Sequence, residues 1–144
     1  MFSMEYKVRK ADGSDAEDIY SLLRQLKGEE MEYDAFLNRY LDNLENPAYE
    51  YWVLEEGGAI RGLVSSHMSQ PLHHPEKVCE VQELIVDNGY RGKGMGSCLL
   101  KWVLSRHAGD NIELASNRSR RKARGFYERM GFLATHNKFV YRKP

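Results

Sequence analysis

The run Glu83-Leu-Ile-Val-Asp-Asn-Gly-Tyr-Arg-Gly-Lys-Gly-Met-Gly-Ser97 constrains this chain more than any other stretch. Val78 to Asp87 is rich in β-formers and reads as a buried strand. It enters a glycine-rich turn, Asn88 to Gly94. The turn opens a helix over Met95 to His107, whose apolar residues are Leu99, Leu100, Trp102, Val103 and Leu104. The first amides of a helix have no intrahelical partner, and glycine lets a ligand approach them closely. Added to the helix dipole, Gly92, Gly94 and Gly96 make an anion site suited to a diphosphate. Arg91 and Lys93 put positive charge beside it.

Several patterns are built this way. A P-loop needs Ser or Thr after Gly-Lys, but Gly94 follows Gly92-Lys93, and no glycine stands five residues before Gly92. A dinucleotide fingerprint, GxGxxG, is missed by one residue, because Ser97 holds the third glycine position; Glu113 stands near where the ribose acid would be. That fold builds on several βαβ units, and the chain has room for one or two. A plain helix-entry turn needs no such alternation of glycines flanked by Arg and Lys. The fourth pattern, [Arg/Gln]-x-x-Gly-x-[Gly/Ala], is matched by Arg91-Gly-Lys-Gly-Met-Gly96.

The rest of the chain supplies one domain, residues 5–143, with no repeat or linker. Tyr6 to Arg9 alternates as a strand. Ser14 reads as a helix cap with Glu17 as its capping-box partner, ahead of Ile19, Leu22, Leu23 and Leu26 at helical spacing. Tyr33, Phe36, Leu37, Tyr40, Leu41 and Leu44 mark a second helix, stopped before Pro47. Ala48 to Glu55 and Ala59 to Met68 read as a hairpin turning at Gly57-Gly58. Ile112 to Ser116 reads as a strand, and Lys122 to Met130 as a helix ended by Gly131. Phe132 to Thr135 and Lys138 to Arg142 read as closing strands. The expected fold is α/β in the broad sense (α+β): a mixed, mostly antiparallel sheet of about seven strands flanked by about four helices.

Composition narrows the function. The 144 residues carry 21 basic and 21 acidic side chains, so a generic nucleic-acid or anionic-membrane binder is disfavoured. No apolar run approaches the roughly 20 residues of a membrane span. The polar N-terminus has no signal-peptide core. Cys79 and Cys98 form neither a paired framework nor a metal clip, so a reducing cytoplasm is the expected compartment.

Two motifs carry a family resemblance. Val86-Asp87 through Gly96 resembles the acetyl-CoA pyrophosphate loop of the GCN5-related N-acetyltransferases, the GNAT superfamily. Ala123-Arg-Gly-Phe-Tyr-Glu-Arg-Met-Gly-Phe132 resembles that family's carboxyl-terminal A-x-x-FYE-x-x-GF signature. Val8-Arg9-Lys10-Ala11, Asp15-Ala16 and Ile19 resemble its first strand and helix. Within it, Leu72-His73-His74, Glu80 to Val86 and Leu26-Lys27 with Ala35-Phe36 are most similar to aminoalkylphosphonate N-acetyltransferases.

The resemblance implies direct transfer of an acetyl group from acetyl-CoA to an amine. A primary alkylamine, with a pKa of about 10.4, arrives protonated and needs a base. Glu83 is the expected base, directly or through water, with Glu80 the alternative, placed by strand alternation on the opposite face. A backbone amide near Leu84, Ile85 and Val86 is expected to polarise the thioester carbonyl. Tyr127 is expected to return a proton to the coenzyme A thiolate, although Phe126, Tyr127 and Met130 also have the spacing of a core face. Cofactor contacts are expected along Arg91, Gly92, Lys93, Gly94, Met95, Gly96 and Ser97, and from Asn117 and Lys122. Arg118, Arg120, Arg121 and Arg124 extend the basic run toward a phosphate or toward solvent.

For the acceptor, Arg24, Lys27 and Arg39 offer charge to a phosphonate. Glu29, Glu30, Glu32 and Asp34 would instead suit a polyamine. A divalent metal held by His67, His73 and His74 with Glu83 is chemically sensible on a phosphonate, though adjacent histidines diverge. His107 and His136 read as surface residues, and Trp52 and Trp102 as core. The expected partners are a small-molecule amine and a second copy of the chain. A non-catalytic acyl-CoA-binding module is the competing reading, opposed by the presence of both Glu83 and Tyr127.

Overall fold

The computed structural model describes residues 5–26 and 30–144. It divides into two compact units, residues 1–113 and 114–144.

The first unit is a sheet with helices on both faces. Its elements are β1 (Tyr6–Lys10), α1 (Ala16–Leu23), α2 (Tyr33–Leu44), β2 (Tyr49–Glu56), β3 (Ala59–Ser69), β4 (Val78–Val86), α3 (Met95–Arg106) and β5 (Asn111–Leu114), the last crossing the unit boundary. The strands lie in sequence order, and β1 to β4 pair antiparallel with their neighbours. The β4–α3–β5 connection carries the helix that a parallel crossover requires.

Alternation along each strand builds two cores. Tyr51, Val53, Leu63 and Ile85 pack with Ile19, Leu22, Phe36 and Tyr40 of α1 and α2. Trp52, Leu54 and Val64 point the other way. Gly62 lies on that face, where an added Cβ would stand 2.8 Å from Leu99 Cδ1, so α3 rests directly on the sheet backbone. Met95, Leu99, Leu100 and Val103 of α3 are almost fully buried.

Local details depart from expectation where long-range partners decide. The cap before α1 is Asp12, which accepts the Ser14 N–H (2.9 Å), while Asp15 accepts the Asp12 N–H (2.9 Å). Ser14 and Glu17 do not form the box, because Asp12 and Asp15 have the same spacing and Arg9 holds Asp15 with two hydrogen bonds (2.9 and 2.7 Å). His107 is buried, with Nε2 2.9 Å from Glu50 Oε1, and Glu50 also accepts from Arg106. Trp102 is exposed and packs edge-on against buried Trp52.

The second unit holds α4 (Arg121–Arg129). Gly131, at φ +99°, ends it as expected; Phe132 N–H donates to the Tyr127 carbonyl and Gly131 N–H to that of Glu128, a Schellman turn. The expected strands Phe132 to Thr135 and Lys138 to Arg142 are not formed. Among the described residues the sheet has five strands rather than seven. Alternation gives those segments the capacity to pair, but none of the described residues forms a ladder with them, and Leu133, Phe139, Val140 and Tyr141 are exposed.

Candidate active site

The site begins with one extra residue in β4. Ser65 of β3 stands opposite Glu83, but Ser66 stands opposite Val81, so Gln82 is a β-bulge. A bulge reverses the parity of everything beyond it. Glu80 pairs with His67 and Glu83 with Ser65, two positions on the same face of β3, so Glu80 and Glu83 share a face. The expected placement on opposite faces is thereby corrected. Gln82 and Glu83 both reach the α1–α2 side of the sheet, where they line a cavity of about 850 Å³.

Five of its lining residues, Tyr20, Phe36, Tyr40, Tyr49 and Tyr51, are aromatic. Consecutive ring contacts run from Tyr20 to Phe36 (5.3 Å between centroids), Tyr40 (5.6 Å) and Tyr51 (5.5 Å), all of which line the space. Glu83 is fixed at the sheet. Ser65 Oγ–H donates to its Oε1 (2.6 Å), and the Glu83 N–H donates to Ser65 Oγ (3.0 Å). Burial pushes the Glu83 carboxyl above the usual carboxylate range, the Ser65 hydrogen bond draws it back, and Glu80 pushes it up again. Arg24 and Arg39 also line the cavity and have no acidic partner among the described residues. Glu30 stands at the same rim, whereas Lys27 and Glu29 lie outside the described residues. Tyr51, whose hydroxyl accepts from Asn43 Nδ2 (2.9 Å), and Ser65 are members that the sequence reading missed. Both come from strands that look like ordinary core, and only cross-strand register reveals them.

Beyond β4, Asp87 and Asn88 are tied to the turn after α1 by Gln25, which donates to Asp87 Oδ1 (3.1 Å) and accepts the Asn88 N–H (2.9 Å). Gly92 and Gly94 adopt φ of +78° and +85°, conformations that favour glycine, and Gly94 is the N-cap of α3. Cys98 N–H makes the helix's first backbone bond, to the Gly94 carbonyl. Gly96 lies within α3 rather than in the turn. Arg91 Nε donates to the Val86 carbonyl (3.1 Å), and Arg91 and Lys93 are exposed. Leu84, Ile85 and Val86 pair in register with Val64, Leu63 and Gly62.

The histidines are not brought together. The His73 and His74 rings meet at a tilt in the loop before β4, and the His67 ring lies tilted against Tyr49 (4.5 Å between centroids). Among the described residues no cluster of three or more His, Cys, Asp or Glu could hold a metal ion.

In the second unit Tyr127 is half-buried between Phe126 and Phe132. Burial pushes its hydroxyl upward, partly countered by Arg120, so it stays protonated at neutral pH. Asn117 Oδ1 accepts from the Ser119 N–H (2.9 Å) and hydroxyl (2.8 Å), fixing the turn before α4. Lys122 and Arg121 are exposed in the first turn of α4, where no acidic residue offsets them against the positive end of the helix dipole.

Residues 16–132 match the acetyltransferase (GNAT) family. The chain belongs to the GNAT family. Among characterised proteins, this GNAT acetyltransferase is 36% identical over 137 residues to an aminoalkylphosphonate N-acetyltransferase of Salmonella typhimurium, covering 93% of this chain and 89% of that one. Solved structures agree on the fold. A transcriptional regulator from Bacillus halodurans C-125 superposes with a TM-score of 0.88 at 21% identity, over 96% of this chain and all of that one. An aminoglycoside N-acetyltransferase in complex with CoA gives 0.81 at 15% identity, over 99% and 97% of the two chains. No helix among the described residues is long and apolar enough to cross a membrane.

Proposed function

We propose that residues 5–143 act as one catalytic domain that transfers the acetyl group of acetyl-CoA to the primary amine of a small anionic acceptor, an aminoalkylphosphonate. The reading is carried by the cavity that joins a half-buried carboxylate, Glu83, to Arg24 and Arg39, two arginines with no acidic partner among the described residues. The relative from Salmonella typhimurium supports the same acceptor class. An amine must lose its proton at one end while an anion is held at the other, and guanidinium forks suit a phosphonate.

In the proposed reaction the turn from Arg91 to Ser97 holds the pyrophosphate, and Asn117 and Lys122 add contacts to the cofactor. Glu83 takes a proton from the acceptor ammonium, directly or through water. The freed nitrogen lone pair attacks the thioester carbonyl carbon, whose oxygen is polarised by a backbone amide from Leu84, Ile85 or Val86. The carbon–sulfur bond breaks. Tyr127 gives its proton to the departing thiolate; the new amide nitrogen releases its second proton to solvent, since Glu83 already holds the first, and exchange with solvent then restores Tyr127 and the Glu83 carboxylate. No step requires a metal. The proposed setting is cytoplasmic, with the chain as a homodimer, a state that sedimentation velocity reads directly.

The test follows thiol release with aminoethylphosphonate as acceptor. Glu83→Gln keeps the shape and removes the base, so kcat should fall by about a hundredfold or more while acetyl-CoA affinity stays at the wild-type value. Wild-type kcat in this variant would overturn the assignment of Glu83.

A further inference from the structure

We propose that Ser65 is a positioning residue for acetyl transfer: its hydroxyl closes the gap that the β4 bulge opens and holds the Glu83 carboxylate in its working orientation. The inference rests on the reading of Glu83 as the base.

The geometry is specific. A bulge takes a backbone amide out of the regular ladder, and a buried amide without a partner is unfavourable. Here the Glu83 N–H donates to Ser65 Oγ at 3.0 Å. The same oxygen carries one proton, which goes to Glu83 Oε1 at 2.6 Å. Ser65 is 1% exposed, so its hydroxyl is held away from bulk solvent. One hydroxyl therefore joins the main chain and the side chain of a single residue into a closed ring. Oε1 is committed, and among the described residues Oε2 has no hydrogen-bond partner. This leaves the second oxygen for an incoming ammonium. Alanine would free the carboxylate to rotate and would strand the amide. Threonine keeps the hydroxyl on the same carbon.

The proton on Ser65 also favours the ionised carboxylate. The other groups facing Glu83 come from every packed element. Tyr49 and Tyr51 lie on β2, His67 on β3, Glu80 on β4, Tyr20 and Arg24 on α1 and its end, and Arg39 and Tyr40 on α2, with Glu30 between the helices. None of them is changed by substitution of Ser65, so movement of the acidic limb in such a variant reports the lost hydrogen bond.

The test is the pH dependence of kcat with saturating acetyl-CoA and aminoethylphosphonate, in wild type, Ser65→Ala, Ser65→Thr and Glu83→Gln. Ser65→Ala should move the acidic limb upward by roughly one pH unit and lower the plateau about tenfold or more. Ser65→Thr should return the limb to the wild-type position. Should Ser65→Ala not fold by circular dichroism, Ser65→Cys, with a weaker donor, should move the limb in the same direction by less. An unmoved limb in the folded Ala or Cys variant, with Glu83→Gln inactive, would overturn the role of Ser65 alone. An acidic limb that persists unchanged in Glu83→Gln would overturn the base assignment and this inference together.

Discussion

Replacing Gly94 separates what the turn before α3 needs from what a bound cofactor needs. Gly94 sits at φ +85°, and an added Cβ would meet no atom within 4 Å. The penalty in the free protein is therefore conformational rather than steric. Forcing an L-residue into the left-handed region costs about 1–2 kcal/mol, so Gly94→Ala should lower Tm by several degrees for a chain of this size. The space that is open in the free protein is the space the diphosphate should enter. Gly94→Val adds a branched side chain there, and acetyl-CoA affinity should fall at least tenfold, about 1.4 kcal/mol, beyond the loss in stability. Melting curves with and without cofactor divide the two effects. Acetyl-CoA at a hundred times Kd should stabilise the wild type by about 2.7 kcal/mol, and Gly94→Val should lose much of that gain. Gly96→Val, inside α3, should weaken binding with little conformational penalty. Wild-type affinity by calorimetry in both valine variants would refute this location for the pyrophosphate.

Three other outcomes follow. Tyr127→Phe should lower kcat while leaving acetyl-CoA affinity and Tm nearly unchanged; unchanged kcat, with chemistry rate-limiting, would return Tyr127 to an aromatic packing role. Arg24→Ala and Arg39→Ala should each raise KM for aminoethylphosphonate by about tenfold to a hundredfold and leave KM for spermidine unaffected, since a hydrogen bond to a charged group contributes about 1.5–3 kcal/mol. Arg9 holds the Asp15 carboxyl below its usual range through two hydrogen bonds. Its stabilisation is complete above the unfolded value near 3.9 and is lost as pH falls through the lower folded value. Asp15→Asn should cost about 2–3 kcal/mol in urea melts at pH 7 and flatten the loss of stability below pH 4.

Local signals carried much of this molecule. The strand–turn–helix around Gly92 and Gly94, the hairpin at Gly57-Gly58 and the Gly131 helix stop are written in neighbouring residues, and each forms where expected. What was hidden depends on partners far along the chain. Nothing in Val81-Gln82-Glu83 announces a bulge, because one inserted residue leaves composition unchanged and shows only against the register of β3. With it went the side on which Glu80 lies and the hydrogen bond from Ser65, eighteen residues upstream of Glu83. Asp12 rather than Ser14 caps the first helical turn because Arg9 on β1 organises Asp15. The apolar residues of 132–142 have the periodicity of strands, but pairing requires an available edge that periodicity cannot reveal.

The most direct measurement is kcat/KM for aminoethylphosphonate and for spermidine, by thiol release with acetyl-CoA in the wild-type protein. A cavity with Glu83 at one wall and Arg24 and Arg39 at another predicts a clear preference for the phosphonate. A clear preference for spermidine, or cofactor binding with no turnover of either amine, would contradict it.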